Sequence, residues 1–258
     1  MQVWYMNGAG NDFMVIDARG ATYDFEKMAK EYCAITGADG FMAVDNSDVA
    51  EFRLHFYNSD GSRGEMCGNG ARCICRFAYD LGIVGKQMVV QTDAGLVPGE
   101  CLDGTNFRVR LNNPSILDLN RKGDVAYVEL GNPGVPHAVA EWPELTWENA
   151  ESKKEAFRQL RFDPAFPKGA NVNFYRWLGE NHVQVLTFER GVEDFTLACG
   201  TGTGSVAATL WMKGQLPGGH LVAENKGGTL SVTITGENGV ISTLDLEGPT
   251  EVVRTYEL

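Results

Sequence analysis

An α+β fold made of two similar halves is predicted by three features of the chain: a gap-free internal repeat, a glycine-opened helix in each half, and short strand-like segments around each helix. In the repeat, FRLHFYNSDGSRGEMCGNGARC lines up with VQVLTFERGVEDFTLACGTGTGS. Phe56 and Asn58 stand eleven and nine residues before Cys67, and Phe188 and Arg190 stand at the same offsets before Cys199. Gly95 and Gly227 each follow their cysteine by 28 residues, and the two cysteines are 132 apart, about half of the 258-residue chain. One half is placed at residues 1–112 and the other at 113–248, with the last strand, about 249–258, returning to the first half. A site is expected in the cleft between the halves.

Along the chain, QVWYMNGAGNDFMVID reads as strand, glycine-rich turn and strand. DFEKMAKEYCAI has apolar residues at Phe25, Met28, Ala29, Tyr32 and Cys33, a helical spacing capped by Asp24. FMAVD and EFRLHFYN follow as strands, NSDGSRGEM as turn chemistry and CGNGARCICRFAYDLG as a helix. KQMVVQT, GLVPGEC and NFRVRLN are strands. After Asn113-Pro114 the order restarts: strand DVAYVELG, polar helix ENAESKKEAFRQLRF, strands NVNFYRWLG and HVQVLTFER, then the helix CGTGTGSVAATLWMKG. HLVAE, GTLSVTI, VISTLDLEG and EVVRTYEL close the chain as strands.

Composition narrows the function. No apolar run reaches the roughly 18 residues of a membrane span, and the N-terminal MQVWYMNGAGNDF has neither the basic nor the apolar segment of a secretory signal. A net charge of −12 disfavours nucleic acid and anionic membrane. The expectation is a cytoplasmic protein with a small-molecule substrate.

The six cysteines, Cys33, Cys67, Cys73, Cys75, Cys101 and Cys199, are expected as reduced thiols. The C-x5-C-x-C spacing of Cys67, Cys73 and Cys75 matches no structural zinc knuckle, and on a helix residues 73 and 75 face different ways. Cys33, Cys73, Cys75 and Cys101 read as packing. Cys67 and Cys199 differ, because each precedes Gly-x-Gly at a helix start. Unpaired amides and a partial positive charge there favour a thiolate and can bind a carboxylate. Two such starts facing one substrate would place a sulfur on either side of its α-carbon. That suits removal of a proton from one face and delivery to the other. No lysine context or dinucleotide fingerprint points to pyridoxal phosphate or nicotinamide, so no cofactor and no metal are expected.

GAGNDFMVID, FYNSDGSRGEMCGNGARC, GVPHAV, NVNF and ERGVEDFTLACGTGTG, in this order, strongly resemble diaminopimelate epimerase over nearly the whole chain. The resemblance implies a homodimer whose subunit has two pseudo-symmetric domains, each a curved, mostly antiparallel sheet around a central helix. It implies interconversion of LL- and meso-diaminopimelate, for lysine and peptidoglycan synthesis, with both thiols reduced. Carried over by motif, Cys67 and Cys199 are the acid–base pair, and His137 and Glu189 tune a thiol. Gly68, Asn69, Gly200 and Thr201 hold the reacting carboxylate, and Asn11 lies beside the substrate. Asn58, Asn171, Glu189 and Arg190 take the remote amino-acid end, as an arginine fork and asparagine amides can.

Three positions depart from the pattern: Val135 replaces an Asn found before Pro-His in many members, Gly40 replaces a Gln found in some, and Phe195 replaces the Glu of a Glu-Thr pair. All three fall where substrate choice is set, so racemisation of another amino acid on the same fold is the second reading. A non-catalytic amino-acid-binding protein and a redox or metal protein are the readings from other classes.

Overall fold

The computed structural model describes residues 1–64 and 67–257. The chain divides into two compact units: Met1–Arg110 with Glu247–Leu258, and Leu111–Leu246.

In the first unit β1 (Gln2–Gly8) and β2 (Asn11–Asp17) form an antiparallel hairpin. Helix α1 (Phe25–Thr36) then crosses to β3 (Gly40–Asp45), which lies parallel to β2. Asp24 caps α1 by accepting the Lys27 N–H, and Gly37 ends the helix in a left-handed turn that a side chain would resist. The expected apolar face is the one that packs: Ala29 and Cys33 are buried, with Phe25, Met28 and Tyr32 against the same cluster. β3 pairs antiparallel with β4 (Phe52–Asn58), and α2 (Gly68–Asp80) crosses to β5 (Gln87–Thr92), parallel to β4. β6 (Gly95–Cys101) and β7 (Asn106–Leu111) continue antiparallel. The final strand of the chain, Glu251–Glu257, pairs antiparallel with the other side of β1.

The second unit starts with β8 (Pro114–Lys122), β9 (Val125–Gly131) and β10 (Gly134–Glu141), paired antiparallel in turn. Helix α3 (Ala150–Arg161) crosses to β11 (Asn171–Gly179), parallel to β10. β12 (His182–Glu189) pairs antiparallel with β11 and with the short β13 (Asp194–Thr196). Helix α4 (Gly200–Met212) then crosses to β14 (His220–Asn225), parallel to β12, and β14 turns back antiparallel into β15 (Gly228–Glu237). β16 (Val240–Pro249) and β17 (Glu251–Glu257) end the chain.

Both units therefore follow one order: hairpin, helix, hairpin, buried helix, hairpin. The helices α2 and α4 are wrapped by strands of their own unit. Helix α2 packs on β1, β2, β3 and β6, and α4 on β8, β9, β10, β11, β14 and β15. Residues 68–75 of α2 and 202–210 of α4 are buried. The arrangement is the mostly antiparallel α+β one expected. Glycine inside a helix costs about 0.5–1 kcal/mol against alanine. Gly202 and Gly204 in α4 are thus tolerated because the strands close tightly around it. Among the described residues no helix is long and apolar enough to cross a membrane.

The repeat reaches further than its cysteine motifs, because α1 and α3 are also equivalent crossovers. β8, β10 and β13 go beyond the strands expected. Pro114 and Pro136 punctuate the sequence like loops yet sit in β8 and β10, and β13 has only three residues.

Candidate active site

Each unit presents one cysteine at the N-cap of its buried helix. Cys67 (φ −121°, ψ 123°) and Cys199 (φ −127°, ψ 110°) share an extended backbone, and each hands its carbonyl to the helix, to Ala71 N–H at 2.7 Å and Thr203 N–H at 2.9 Å. Both are half-buried, whereas Cys33, Cys73, Cys75 and Cys101 are buried. Burial pushes the Cys33 thiol up to about 11 and the Cys73 and Cys75 thiols up to about 12, so these stay protonated. Cys73 Sγ lies against Gly8 of β1 and Cys75 Sγ against Gly99 of β6, on different sides of α2.

In the first unit a chain of side chains supports the start of α2. Arg72 is fully buried and donates through Nη1 to Gly68 O (3.3 Å) and through Nη2 to Asn69 Oδ1 (3.0 Å). Asn69 Nδ2 donates to Asn11 Oδ1 at 2.7 Å, and Asn11 Nδ2 to Asp39 Oδ2 at 3.1 Å. Asp39 Oδ2 also accepts the Asp12 amide at 3.0 Å. A cation at one end and a carboxylate at the other fix both amide orientations: each oxygen faces the arginine side and each NH2 the aspartate side. Asn11 and Asn69 thus form one device, with one N–H of each already committed. Asn58, at the end of β4, donates to Ser62 Oγ (2.9 Å) and exchanges backbone bonds with the same turn.

In the second unit the buried polar group beside the helix start is Asn173. Its Oδ1 accepts from Thr187 Oγ1 at 2.9 Å, which turns Nδ2 toward His137 Nδ1 (3.0 Å), Asn171 O (3.2 Å) and Ala138 O (3.3 Å). His137 Nδ1 is then an acceptor, and the proton of the neutral ring sits on Nε2. Burial, and then the positive charge of Arg190, push His137 down to about 3. A thiol-tuning role at neutral pH would thus fall to an uncharged imidazole. Asn171 bridges two strands: Nδ2 donates to Pro136 O (3.2 Å), and Oδ1 accepts the Arg190 amide (2.8 Å). Arg190 Nη1 donates to Lys168 O at 3.1 Å, leaving most of an exposed guanidinium for other acceptors. Glu189 ends β12 opposite Asp194 and is half-buried. At the helix start, Cys199 Sγ accepts the Gly202 N–H at 3.3 Å and lies 3.5 Å from Thr201 Oγ1.

The departures from the family pattern have local explanations in two cases. A Cβ on Gly40 would come within 2.7 Å of the Phe56 ring and 2.9 Å of Tyr57 O, so no side chain fits there. Phe195 packs edge-on to Phe157 at 4.8 Å and Phe188 at 5.8 Å, as part of the core around α3. Val135 alone stays exposed, on β10. Arg72, Asn173 and Thr187 hold these side chains in place, and of the three only Asn173 has a signal in the sequence, since it stands in NVNF with Asn171.

Two units of like build each open a buried helix on a half-buried cysteine. The sequence profile of diaminopimelate epimerase matches residues 3–117 and 130–250. A diaminopimelate epimerase of Aquifex aeolicus is 39% identical over 233 residues, covering 83% of this chain and 82% of that protein. One of Flavobacterium psychrophilum is 30% identical over 259 residues, covering 98% of each. Among solved structures, a hydroxyproline epimerase from Agrobacterium vitis with bound trans-4-hydroxy-L-proline superposes with a TM-score of 0.71 at 18% identity, covering 100% of this chain and 90% of that one. A PhzF-family phenazine biosynthesis protein of Bacillus anthracis gives 0.71 at 17%, covering 100% and 98%. At such identities these two establish the fold alone. The chain belongs to the diaminopimelate epimerase family.

Proposed function

We propose that this chain is an isomerase that inverts the α-carbon of diaminopimelate, between its LL and meso forms, by proton transfer between two sulfurs. The observation that carries the reading is the matched setting of Cys67 and Cys199, half-exposed at the N-caps of equivalent buried helices. One sulfur, as thiolate, takes the α-hydrogen as a proton, and the bonding electrons remain on carbon and spread into the carboxylate. The first-turn amides of Gly68, Asn69, Gly200 and Thr201 stabilise that charge, since helix amides of the first turn have no internal acceptor. The other sulfur, as thiol, delivers its proton to the opposite face. The sulfurs exchange charge states and no electron is gained or lost, so the step consumes no redox or covalent partner.

Asn11 belongs beside the substrate through its remaining N–H. Asn58, Asn171, Glu189 and Arg190 take the remote end, with the Arg190 fork on its carboxylate and Asn171 acting by holding the Arg190 backbone. His137, neutral, and Glu189 form the surroundings of a thiol. Two of the three departures, Gly40 and Phe195, are accounted for by packing, which favours diaminopimelate over another amino acid. Family membership supports a cytoplasmic homodimer serving lysine and peptidoglycan-precursor synthesis.

Incubation of reduced protein with LL-diaminopimelate in deuterated water tests the reading. The expected result is meso product carrying deuterium at one α-carbon. Unlabelled, uninverted substrate would refute it, and inversion of another amino acid instead would move the substrate assignment.

A further inference from the structure

Arg72 has no ordinary reason to be where it is. Its guanidinium is wholly removed from solvent on a helix that strands surround, and it cannot shed its proton there. Two of its nitrogens reach neutral oxygens, those of Gly68 and Asn69, while Nε has no hydrogen-bond partner among the described residues. No carboxylate of the described residues forms an ion pair with it. A buried cation in this state calls for a negative charge close by.

On α2 itself Cys67, Cys73 and Cys75 interact electrostatically with Arg72. Cys73 and Cys75 are held protonated by burial, each pushed up to about 12. Arg76, also on α2, adds positive charge near Cys73. From β1, Tyr5 is neutral, pushed up to about 12 beside Asp12. Asp12 of β2 and Asp39, just before β3, keep their charge while accepting from the neutral amides of Asn7 (2.8 Å) and Asn11 (3.1 Å), but the groups that act on Arg72 electrostatically are the three cysteines and neither carboxylate is among them. From β6, Glu100 is paired with Arg108 at 2.6 Å. The half-exposed Cys67 is the remaining candidate.

We propose that Arg72 is a positioning residue for Cys67: its buried guanidinium supplies the positive charge that holds the Cys67 sulfur as thiolate and, through Asn69 and Asn11, fixes the orientation of both amides. The second unit has no counterpart. The residue equivalent to Arg72 is Gly204, where even a Cβ would come within 2.7 Å of Leu111 Cδ1. The inference rests on the reading of Cys67 as an acid–base residue.

The test is the pH dependence of iodoacetamide alkylation in the reduced full-length protein, each cysteine followed through its own peptide by mass spectrometry. In the unsubstituted chain the Cys67 midpoint is expected below the free-cysteine value of about 8.5. Arg72→Gln is expected to raise it by about one pH unit or more, while the Cys199 midpoint should stay put. In turnover, Arg72→Lys is expected to raise KM more than it lowers kcat, because one ammonium cannot replace the fork that holds Asn69.

A Cys67 midpoint at or above the free-cysteine value in the unsubstituted chain overturns the proposal, even if Arg72→Gln fails to fold. So does a midpoint that Arg72→Gln leaves unmoved. If the midpoint shifts as expected while the deuterium experiment finds no inversion, the Arg72 inference stands and the epimerase reading falls. Inversion with an unmoved midpoint gives the converse.

Discussion

Five residues past Cys67 the chain buries an arginine; five residues past Cys199 it buries Gly204, walled by Leu111, Leu130 and Leu244. Two residues past the cysteines stand Asn69, tied into a relay that ends on Asp39, and Thr201, whose hydroxyl lies 3.5 Å from the Cys199 sulfur. The first helix start is thus supported by charge and the second by packing, with Asn173 wedged against α4 at Gly202. Desolvating an unpaired ion costs several kcal/mol, which a packed glycine avoids. A repeat can thus preserve backbone geometry around two equivalent sulfurs while giving them unlike electrical surroundings.

The largest expected effect tests whether both halves are needed. Cys67→Ala and Cys199→Ala should each slow inversion by roughly 10²- to 10⁴-fold, the range for loss of a positioned acid or base. An unchanged rate in either, measured by circular dichroism of the substrate, breaks the pairing.

A middle-sized effect separates the two supports. A Cβ on Gly202 would overlap Asn173 Oδ1, whereas one on the equivalent Gly70 would meet only Met42 Sδ at 3.2 Å and the edge of Phe13 at 3.3 Å. Gly202→Ala should cost about 1–3 kcal/mol in urea unfolding and about 10²-fold in turnover by displacing the Asn173 network. Gly70→Ala should stay within about 1 kcal/mol, helped by the helix preference of alanine. Equal costs would show that the two helix starts are supported alike.

A third effect concerns acid. His137 is at about 3 in the folded chain against an ordinary 6.5 when unfolded. Between those values the unfolded state binds a proton that the native state does not. The stability contributed by the neutral ring is therefore complete above the unfolded value and is lost as pH falls toward 3, by up to about 1.4 kcal/mol per pH unit. Urea melts between neutral and mildly acidic pH should slope more steeply for the unsubstituted chain than for His137→Gln. Parallel slopes would place a charged imidazole in the native state.

Much of this architecture was legible because it depends on pattern. The Asp24 cap, the apolar face around Cys33, and the two cysteine-led helix starts follow from spacing and turn chemistry alone. The strands β8 and β10 were hidden by prolines that mark loops more often than sheet, and Arg72 was hidden by its charge. An arginine in a helix is expected to face water, and nothing in GNGARC says that the strands close over it. NVNF likewise offers two asparagines: the register of β10 with β11 sets His137 opposite Asn171, yet it is Asn173, two residues on, whose amide reaches the histidine at 3.0 Å. The buried polar partners of a site depend on which strands become neighbours, and that information lies far apart in the chain.

The pairing of β1 with β17 bears on how the protein is made. Residues 111–246 form one uninterrupted unit, while the unit holding Cys67 needs both ends of the chain. During synthesis the stretch with Cys199 leaves the ribosome whole, at a time when β1 still lacks its outer neighbour. The half that buries Arg72 waits for residues 251–257, so a chain stopped before them can carry a complete Cys199 unit and no finished partner for it.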